Sequence, residues 1–213
     1  LMESSEGPRP PRQERSRRTL RNLERAALDL VARDGADAVT VAAVVARARS
    51  SLGSFYARFA GKDELFRHLE ARLWEEALDL WRVSGIAAPG RAHEASEVLK
   101  ETVALLVHLE EVDGALRRSL GAGGAPSEAQ GRFLAGLTGD LAAHLGMTGS
   151  QGDGRVQLGL RIVLAVLSAL CPGVDGRAGD GGSALTASGL ESDLTRILAT
   201  VLAGGGGAPA EVP

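Results

Sequence analysis

The sequence predicts an all-α fold in which a few short N-terminal helices precede a larger set of long helices. Apolar residues recur at spacings of three and four along most of the 213 residues, as they do on the buried face of a helix. No run alternates apolar and polar residues as a strand does, and glycine-rich stretches separate the helical segments. Hydrophobic residues make up 44% of the chain but aromatic residues only 3%, so the core must be mainly aliphatic.

The N-terminal segment is expected to contain a tail and then one long helix. Residues 1–14 are polar and proline-rich, which predicts a mobile basic tail. Apolar residues then recur at helical spacing until Gly35, a helix-stopping residue, so the first helix is expected to span about 17–34. The residues that set this spacing are Leu20, Leu23, Ala27, Leu30 and Val31.

Two short helices and a longer one follow. Thr40 is a suitable N-cap for a second helix that ends near Arg47, and Ser51 is a suitable N-cap for a third helix over 52–59. Gly61 interrupts the pattern, and Lys62 begins a fourth helix that reaches about residue 83. Residues 15–62 are therefore expected to form one small helical domain.

The rest of the chain predicts a larger helical domain, 63–204, and a glycine-rich flexible tail, 205–213. Its longest apolar run, IVLAVLSAL, is too short to cross a bilayer, which takes about 20 residues. The N-terminus lacks the apolar region of a secretory signal, so we expect a cytoplasmic protein. Helical patterns recur at about 92–111, 113–121, 126–146, 154–171 and 189–203.

Positive charge is concentrated near the N-terminus. The net charge of −3 is the sum of two unlike parts: residues 9–62 hold 12 Lys and Arg against 5 Asp and Glu, or +7, and the remainder carries −10. This polarity indicates that the N-terminal segment meets an anionic partner and that the larger part does not.

Three of the seven aromatic residues lie together in RSSLGSFYARF, residues 49–59. Because helices this short are not stable alone, Phe55 and Phe59 are expected to pack on one shared core with the helices before them. Tyr56 falls on a different face, where its hydroxyl can donate to a phosphate. Two short helices joined by an abrupt turn match the helix-turn-helix, whose second helix enters the major groove of DNA.

The stretch TVAAVVARARSSLGSFYARFAGKDEL, which begins at Thr40, resembles the DNA-binding signature of the TetR family of bacterial transcriptional regulators. The resemblance covers only about residues 17–66, and beyond them the chain is similar to the family in being a helical ligand and dimer domain of the right size. The matching positions are Thr40, Val44, Ala48, Ser51, Gly53, Phe55, Tyr56, Phe59, Lys62 and Leu65.

The resemblance implies phosphate contacts by Thr40, Tyr56 and Lys62. Arginines at the start of the first helix oppose its dipole unless an anion lies nearby, so they are expected to meet phosphates too. The full set of expected phosphate-binding residues is Arg17, Arg18, Thr40, Arg49, Tyr56, Arg58 and Lys62. The residues expected to face base edges are Ser51, Leu52, Gly53, Ser54 and Ala57.

The chain departs from the family pattern in the turn, where Arg49 replaces the usual glycine and Ser50 the usual valine. A left-handed backbone at Arg49 costs about 1 to 2 kcal/mol relative to glycine, part of which a phosphate contact can offset. The expected reading face also lacks the side chains that make bidentate base contacts. We therefore expect modest direct readout, helped by DNA shape and by Arg12, Arg15, Arg17 and Arg18 at the minor groove.

Two sets of residues are expected to act in the larger domain. By the family's layout, an effector pocket that is mostly apolar is lined by Trp81, Leu105, His108, Leu109, Phe133 and Leu137. The last two helices either pack internally or, as in TetR-like proteins, form a four-helix bundle with a second chain. The residues expected at that dimer interface are Val156, Leu160, Val163, Leu167, Leu194, Ile197, Leu198 and Val201.

The sequence thus favours a homodimeric transcriptional regulator that binds double-stranded operator DNA. The resemblance implies a repressor released by a small, largely apolar effector, although an activator shows the same motif. The alternative is a helical small-molecule-binding protein without specific DNA binding. No histidine pair has zinc-site spacing, no glycine run forms a phosphate loop and no nucleophile and base can be placed together, so no metal, cofactor or enzymatic activity is expected.

Overall fold

A computed structural model describes residues 12–86, 94–120, 127–147, 149–170 and 187–203. These residues form helices joined by turns and contain no strand, which confirms the all-α prediction. The helices are α1 (Arg12–Asp34), α2 (Val41–Arg47), α3 (Leu52–Tyr56), α4 (Lys62–Ser84), α5 (Ala95–Ser119), α6 (Glu128–His144), α7 (Ser150–Leu170) and α8 (Ala187–Ala203).

The bounds of several helices differ from the prediction by a few residues, and three of the differences involve α1, α3 and α5. Helix α1 begins at Arg12, inside the segment 1–14 expected as a tail, whose first eleven residues lie outside the described ranges, as does the tail 205–213. Helix α3 ends at Tyr56, and its last turn closes by hydrogen bonds from the Arg58 and Phe59 amides. Helix α5 is continuous where two helices were expected, because Asp113 pairs with Arg117 one turn onward and Gly114 is buried.

Contacts between Cα atoms divide the chain into an N-terminal unit, Leu1–Leu69, and a C-terminal unit, Glu70–Pro213. The core of the N-terminal unit is built from all four of its helices, and Phe55 on α3 is fully buried there. On α4, His68 Nε2 lies 2.7 Å from Glu24 Oε1 on α1, and its ring lies 5.4 Å from that of Phe59. The fully buried side chains of this core are those of Leu23, Ala27, Phe55, Leu65 and Phe66.

Side-chain caps fix where the two short helices begin. The Thr40 hydroxyl accepts a hydrogen bond from the Ala43 amide at 3.2 Å, and the Ser51 hydroxyl accepts one from the Ser54 amide at 3.1 Å. Each bond satisfies an amide that has no partner within its own helix. The two predicted N-caps are therefore confirmed.

The core of the C-terminal unit is mostly aliphatic, as the composition predicts. Helix α7 packs against α5, α6 and α8, and Trp74 of α4 contacts the Phe133 ring of α6 with 5.2 Å between ring centroids. Around these rings the core consists largely of leucine and valine side chains from α5 to α8.

Most of the residues expected at the dimer interface belong instead to this internal core. The structure gives six of the eight a solvent exposure of at most 1%, so a second chain cannot reach them. Ile197 is 37% exposed and Val201 is partly exposed, so these two remain on the surface. Because α7 is apolar on more than one face, the sequence pattern did not show which face lies inward. The six buried residues are Val156, Leu160, Val163, Leu167, Leu194 and Leu198.

Three buried carboxyl groups interrupt the apolar core. Glu70, Glu110 and Asp113 are at most 7% exposed, and Arg117 contacts two of them. Burial is the main reason that the pKa of Asp113 is raised to about 7; the negative charges of Glu70 and Glu110 add to the rise, and Arg117 opposes it.

Close packing at one end of α7 generates a stability prediction. A Cβ atom on Gly152 would lie 2.8 Å from the main-chain oxygen of Met147, whereas one on Gly154 would meet nothing within 4 Å. We expect Gly152→Ala to lower the free energy of unfolding by about 1 to 3 kcal/mol, since backbone cannot move aside easily. The matched Gly154→Ala should raise it by about 0.5 to 1 kcal/mol. Urea unfolding followed by circular dichroism measures both, and equal effects would contradict the close approach.

The raised pKa of Asp113 generates a prediction of pH dependence. An unfolded aspartate titrates near pH 4, so between about pH 4 and 7 the folded protein binds more protons than the unfolded chain. The contribution of Asp113 to stability is therefore full below about pH 4 and is lost as the pH rises to about 7. In thermal unfolding at several pH values, Asp113→Asn should weaken this decline. Asp79→Asn, which changes an exposed carboxyl on α4, should keep it.

Candidate nucleic-acid interface

The turn between α2 and α3 contains one residue with a left-handed backbone. The sequence alone did not decide whether the backbone there is left-handed. Arg49 has a φ of +49°, the one positive value among the described non-glycine residues. The turn is nevertheless fully hydrogen-bonded, because the amides of Arg49 and Ser50 donate to the oxygens of Ala46 and Val45. Arg49 therefore forms the turn that glycine usually forms in this motif, at a cost in backbone energy.

The face of α3 opposite Phe55 is exposed, and it carries the residues expected to face bases. Leu52 is 53% exposed and Tyr56, one helical turn later, is 57% exposed. Ser51, Gly53 and Ala57 are also exposed, whereas Ser54 is half-buried and its hydroxyl accepts a hydrogen bond from that of Ser51 at 2.9 Å. The largest side chains on this face are thus an isobutyl group and a phenol.

Most of the residues expected to bind phosphate lie at the surface. Arg17, Arg18, Thr40 and Arg49 are exposed, and the Thr40 hydroxyl keeps its proton available while its oxygen caps α2. Lys62 is half-buried, with its ammonium 5.4 Å from the centre of the Phe66 ring. The side chain of Arg12 lies outside what the structure describes.

Arg58 differs from the expectation because its guanidinium binds within the N-terminal unit. Nη1 donates to the main-chain oxygen of Ser54 at 2.6 Å, and Nη2 donates to the main-chain oxygen and the hydroxyl of Ser16 at 3.2 and 2.8 Å. Arg58 therefore ties the end of α3 to α1. The sequence gave no signal for this, because Ser16 lies forty-two positions earlier.

A basic groove runs beside this face, between α1 and the end of α2. Its volume is about 740 Å³, and it contains five guanidinium groups against one carboxylate, that of Asp29. Asp29 Oδ2 lies 3.0 Å from Arg47 Nη2, which fixes one arginine at the edge. The lining residues are Arg15, Arg18, Thr19, Asn22, Arg25, Ala26, Asp29, Arg47, Ala48 and Arg49.

The sequence analysis missed Asn22, Arg25 and Arg47 as members of this surface. The signal was present in α1, where residues 15, 18, 22 and 25 follow one another at spacings of three and four and so lie on one face. Arg47 could not be found in this way, because its place depends on how α2 packs against α1.

The residues expected to line an effector pocket do not share one environment. Trp81, Leu109, Phe133 and Leu137 are buried in the core of the C-terminal unit, and Leu105 is packed against it. His108 is exposed instead, so it does not belong with them. Residues three and four apart on α5 share a face, but His108 lies on the outer side of that helix.

Two further findings concern the described residues alone. They contain no group of three His, Cys, Asp or Glu side chains placed to hold a metal ion. In the same ranges, no helix has both the length and the apolar character to cross a membrane.

The helix-turn-helix geometry agrees with a family comparison. Residues 24–69 match the model of the family described as "Bacterial regulatory proteins, tetR family". Over these residues the chain is therefore similar to the DNA-binding domain of that family. The match begins within α1 and includes all of α2, the Arg49 turn and α3, and it ends at Leu69 in α4.

Two solved structures match the chain over most of its length. A transcriptional regulator from Rhodococcus sp. Rha1 is 20% identical, with a TM-score of 0.60 over 89% of this chain and 99% of that one. A Clostridium perfringens putative fatty acid metabolism regulator is 17% identical, with a TM-score of 0.47 over 86% of this chain and 97% of that one. No curated protein matches the chain in sequence. The first similarity extends the fold assignment beyond the N-terminal unit.

The left-handed Arg49 generates a prediction that separates backbone from side chain. Arg49→Gly should stabilise the protein by up to about 1 kcal/mol, since glycine adopts the positive φ without a Cβ clash. Arg49→Ala keeps that clash and should leave stability nearly unchanged. Chemical unfolding monitored by circular dichroism compares the two variants, and a glycine variant no more stable than the alanine variant would contradict a strained turn.

Proposed function

We propose that the chain is a cytoplasmic transcriptional regulator that binds operator DNA as a homodimer. The observation that carries this proposal is the exposed face of α3 beside a groove with five arginines. A helix that presents small side chains fits the major groove, and guanidinium groups next to it fit the DNA backbone.

Residues on α3 would contact the bases of the operator, and residues near the helix ends would contact its phosphates. We infer that Leu52 and Ala57 contact thymine methyl groups and that Ser51, Gly53 and Ser54 allow close approach to base edges. No arginine, asparagine or glutamine lies on this face, so direct readout is modest and DNA shape contributes. The proposed phosphate-binding residues, with Arg58 now omitted, are Arg17, Arg18, Thr40, Arg49, Tyr56 and Lys62.

The basic groove would extend this contact along the backbone that flanks the half-site. From Arg15 to Arg25 the helix rises about 15 Å, which spans several phosphates of a duplex. Arg49, at one edge of the groove, is two residues before the N-cap of α3, so DNA held by α3 passes close to it. Arg47 would add positive charge there, although Asp29 offsets part of it.

A homodimer would place two such surfaces on one operator. We infer that its interface uses the outer face of α7 and α8, where Leu158 is 54% exposed and Ile197 is 37% exposed. Ile162 and Val201 are partly exposed on the same two helices and would contribute. This set replaces the internal residues named from the sequence. Two-fold symmetry would double the DNA contact of one small helix-turn-helix.

Release by a small effector, and hence repression, is the mode that we propose. The effector would bind in the C-terminal unit near Trp81, Leu105, Leu109, Phe133 and Leu137, where its body would replace contacts in a mostly apolar core. It would shift the protein away from its DNA-binding state only by binding that state less tightly than another.

The alternative is a helical ligand-binding protein without specific DNA binding. The feature that favours it is Arg49, which stands where the family usually has glycine. The turn is hydrogen-bonded with Arg49 in place, which removes that support.

DNA binding and the role of the groove can be tested together by fluorescence anisotropy across a salt series. The duplexes are taken from the DNA upstream of the chain's own gene, with a scrambled control. We expect specific binding, weakened by Tyr56→Ala/Lys62→Ala. Arg18→Gln/Arg25→Gln should lower the slope of log K against log salt by about 2, because each phosphate contact contributes about 0.9.

Arg33→Gln is the matched control for the groove. It removes one arginine from α1 whose guanidinium pairs with Asp34 outside the groove, so the salt slope should not change. Equal slopes for all three proteins would remove the groove from the interface. Equally weak binding to operator and scrambled duplexes, here and at other genomic sites, would favour the ligand-binding alternative.

A further inference from the structure

The buried carboxyl groups of the C-terminal unit form one cluster with contributions from three helices. Glu70 and Trp74 lie on α4, Glu110, Asp113 and Arg117 on α5, and Ser168 on α7. Trp74 Nε1 donates to Asp113 Oδ1 at 3.2 Å, and the Ser168 hydroxyl donates to Glu110 Oε1 at 2.6 Å. The charge of Glu70 acts on Asp113 as well, so the three carboxyl groups are neighbours.

The hydrogen bonds within the cluster leave several buried atoms without a partner. Glu70 is 93% buried and its Oε1 has no hydrogen-bond donor in the described part of the chain, and the same holds for Oε2 of Glu110. Arg117 Nε lies 2.7 Å from Asp113 Oδ2 but is not aligned for a hydrogen bond. An unpaired polar group in a dry interior is costly, so these atoms point to a missing donor.

The charges of the cluster also do not cancel. Three ionised carboxylates against Arg117 give −2, since −3 plus 1 is −2. The raised pKa of Asp113 keeps that group protonated in part near neutral pH, and Arg117 contacts Glu110 and Asp113 but not Glu70. Glu70 has no ion-pair partner among the described residues. One further positive charge would offset part of the negative charge of the cluster.

We propose that this cluster binds the positively charged group of the effector, a protonated amine or quaternary ammonium attached to an apolar body. The proposal rests on the proposed function, because it names the chemical class of the ligand that the C-terminal unit would take. It changes the expected ligand from a largely apolar molecule to an apolar cation.

The surroundings of the cluster suit both parts of such a molecule. The indole of Trp74 donates its N–H to Asp113 and packs on Phe133, so apolar ring surface lies close to the carboxyl groups. Leucine and valine side chains of α5 and α7 surround the rings and would contact an alkyl or aryl body. Among the described residues no three His, Cys, Asp or Glu side chains are placed to hold a metal ion, so an organic cation is the better fit.

The test compares three ligands that share an alkyl chain and differ in the head group: octyltrimethylammonium, 1-octanol and octanoate. Each ligand is titrated into the full chain by calorimetry, below its micelle-forming concentration. We expect the ammonium to bind at least about tenfold more tightly than the alcohol, and the carboxylate to bind more weakly than both. Binding that does not depend on the head group, or no binding of the ammonium, would overturn the proposal.

Variants separate a role in charge recognition from a structural one. Glu70→Gln breaks no ion pair, so the protein should fold, lose the tenfold preference and bind octanol as before. Glu110→Gln should act in the same direction, although it also removes a partner of Arg117. Glu111→Gln, which changes an exposed neighbour on α5, should keep the preference. An ammonium preference retained in both buried variants would place the cation elsewhere.

These titrations contain no DNA, so the two proposals fail separately. A protein that binds its operator but does not prefer the ammonium retains the proposed regulator function and loses the cationic effector. A protein that prefers the ammonium but binds no operator retains the cation site and loses the regulator.

Discussion

The burial of Phe55 is the interaction on which the N-terminal unit depends. Helix α3 has five residues and α2 has seven, and helices of this length do not persist in water by their own hydrogen bonds. Phe55 is fully buried, and its ring lies 5.6 Å from that of Phe59 and 5.4 Å from that of Tyr56. The ring therefore holds α3 against the core while Tyr56 and Leu52 stay outside. The same short helix is thus both anchored and exposed.

The sequence predicted those features of the N-terminal unit that depend on residues close together in the chain. Thr40 and Ser51 cap helices because a hydroxyl reaches an amide three residues later, and this spacing is visible in the sequence. The hydrogen bond from Arg58 to Ser16 was not predicted, because tertiary packing brings the two residues together. The sequence analysis divided this part of the chain into 92–111 and 113–121, yet α5 is continuous there, with Asp113 and Gly114 buried. Local sequence signals predict helix ends well, except where burial changes the free-energy cost of placing a residue in a helix.

The residues predicted at a dimer interface show the same limit in another form. Helix α7 carries Val156 and Leu160 toward the internal core and Leu158 toward the surface, so apolar residues occupy more than one face. A pattern of period 3.6 identifies such a helix but cannot say which face meets its own chain. The sequence therefore predicted the helix but not which of its residues lie inside the core of its own chain. Only the packing of α7 against α5, α6 and α8 separates the two faces.

The charged groups on the surface are exposed to solvent, whereas those in the core are buried away from it. In the groove, five guanidinium groups remain hydrated, so they cost little until a phosphate arrives and releases counterions. In the carboxyl cluster, Glu70 and Glu110 have lost their water, so each unpaired oxygen already carries a penalty that a bound cation would relieve. A cation that reaches these oxygens in one state of the C-terminal unit would therefore favour that state, and relief of the penalty at Glu70 would supply the free-energy difference.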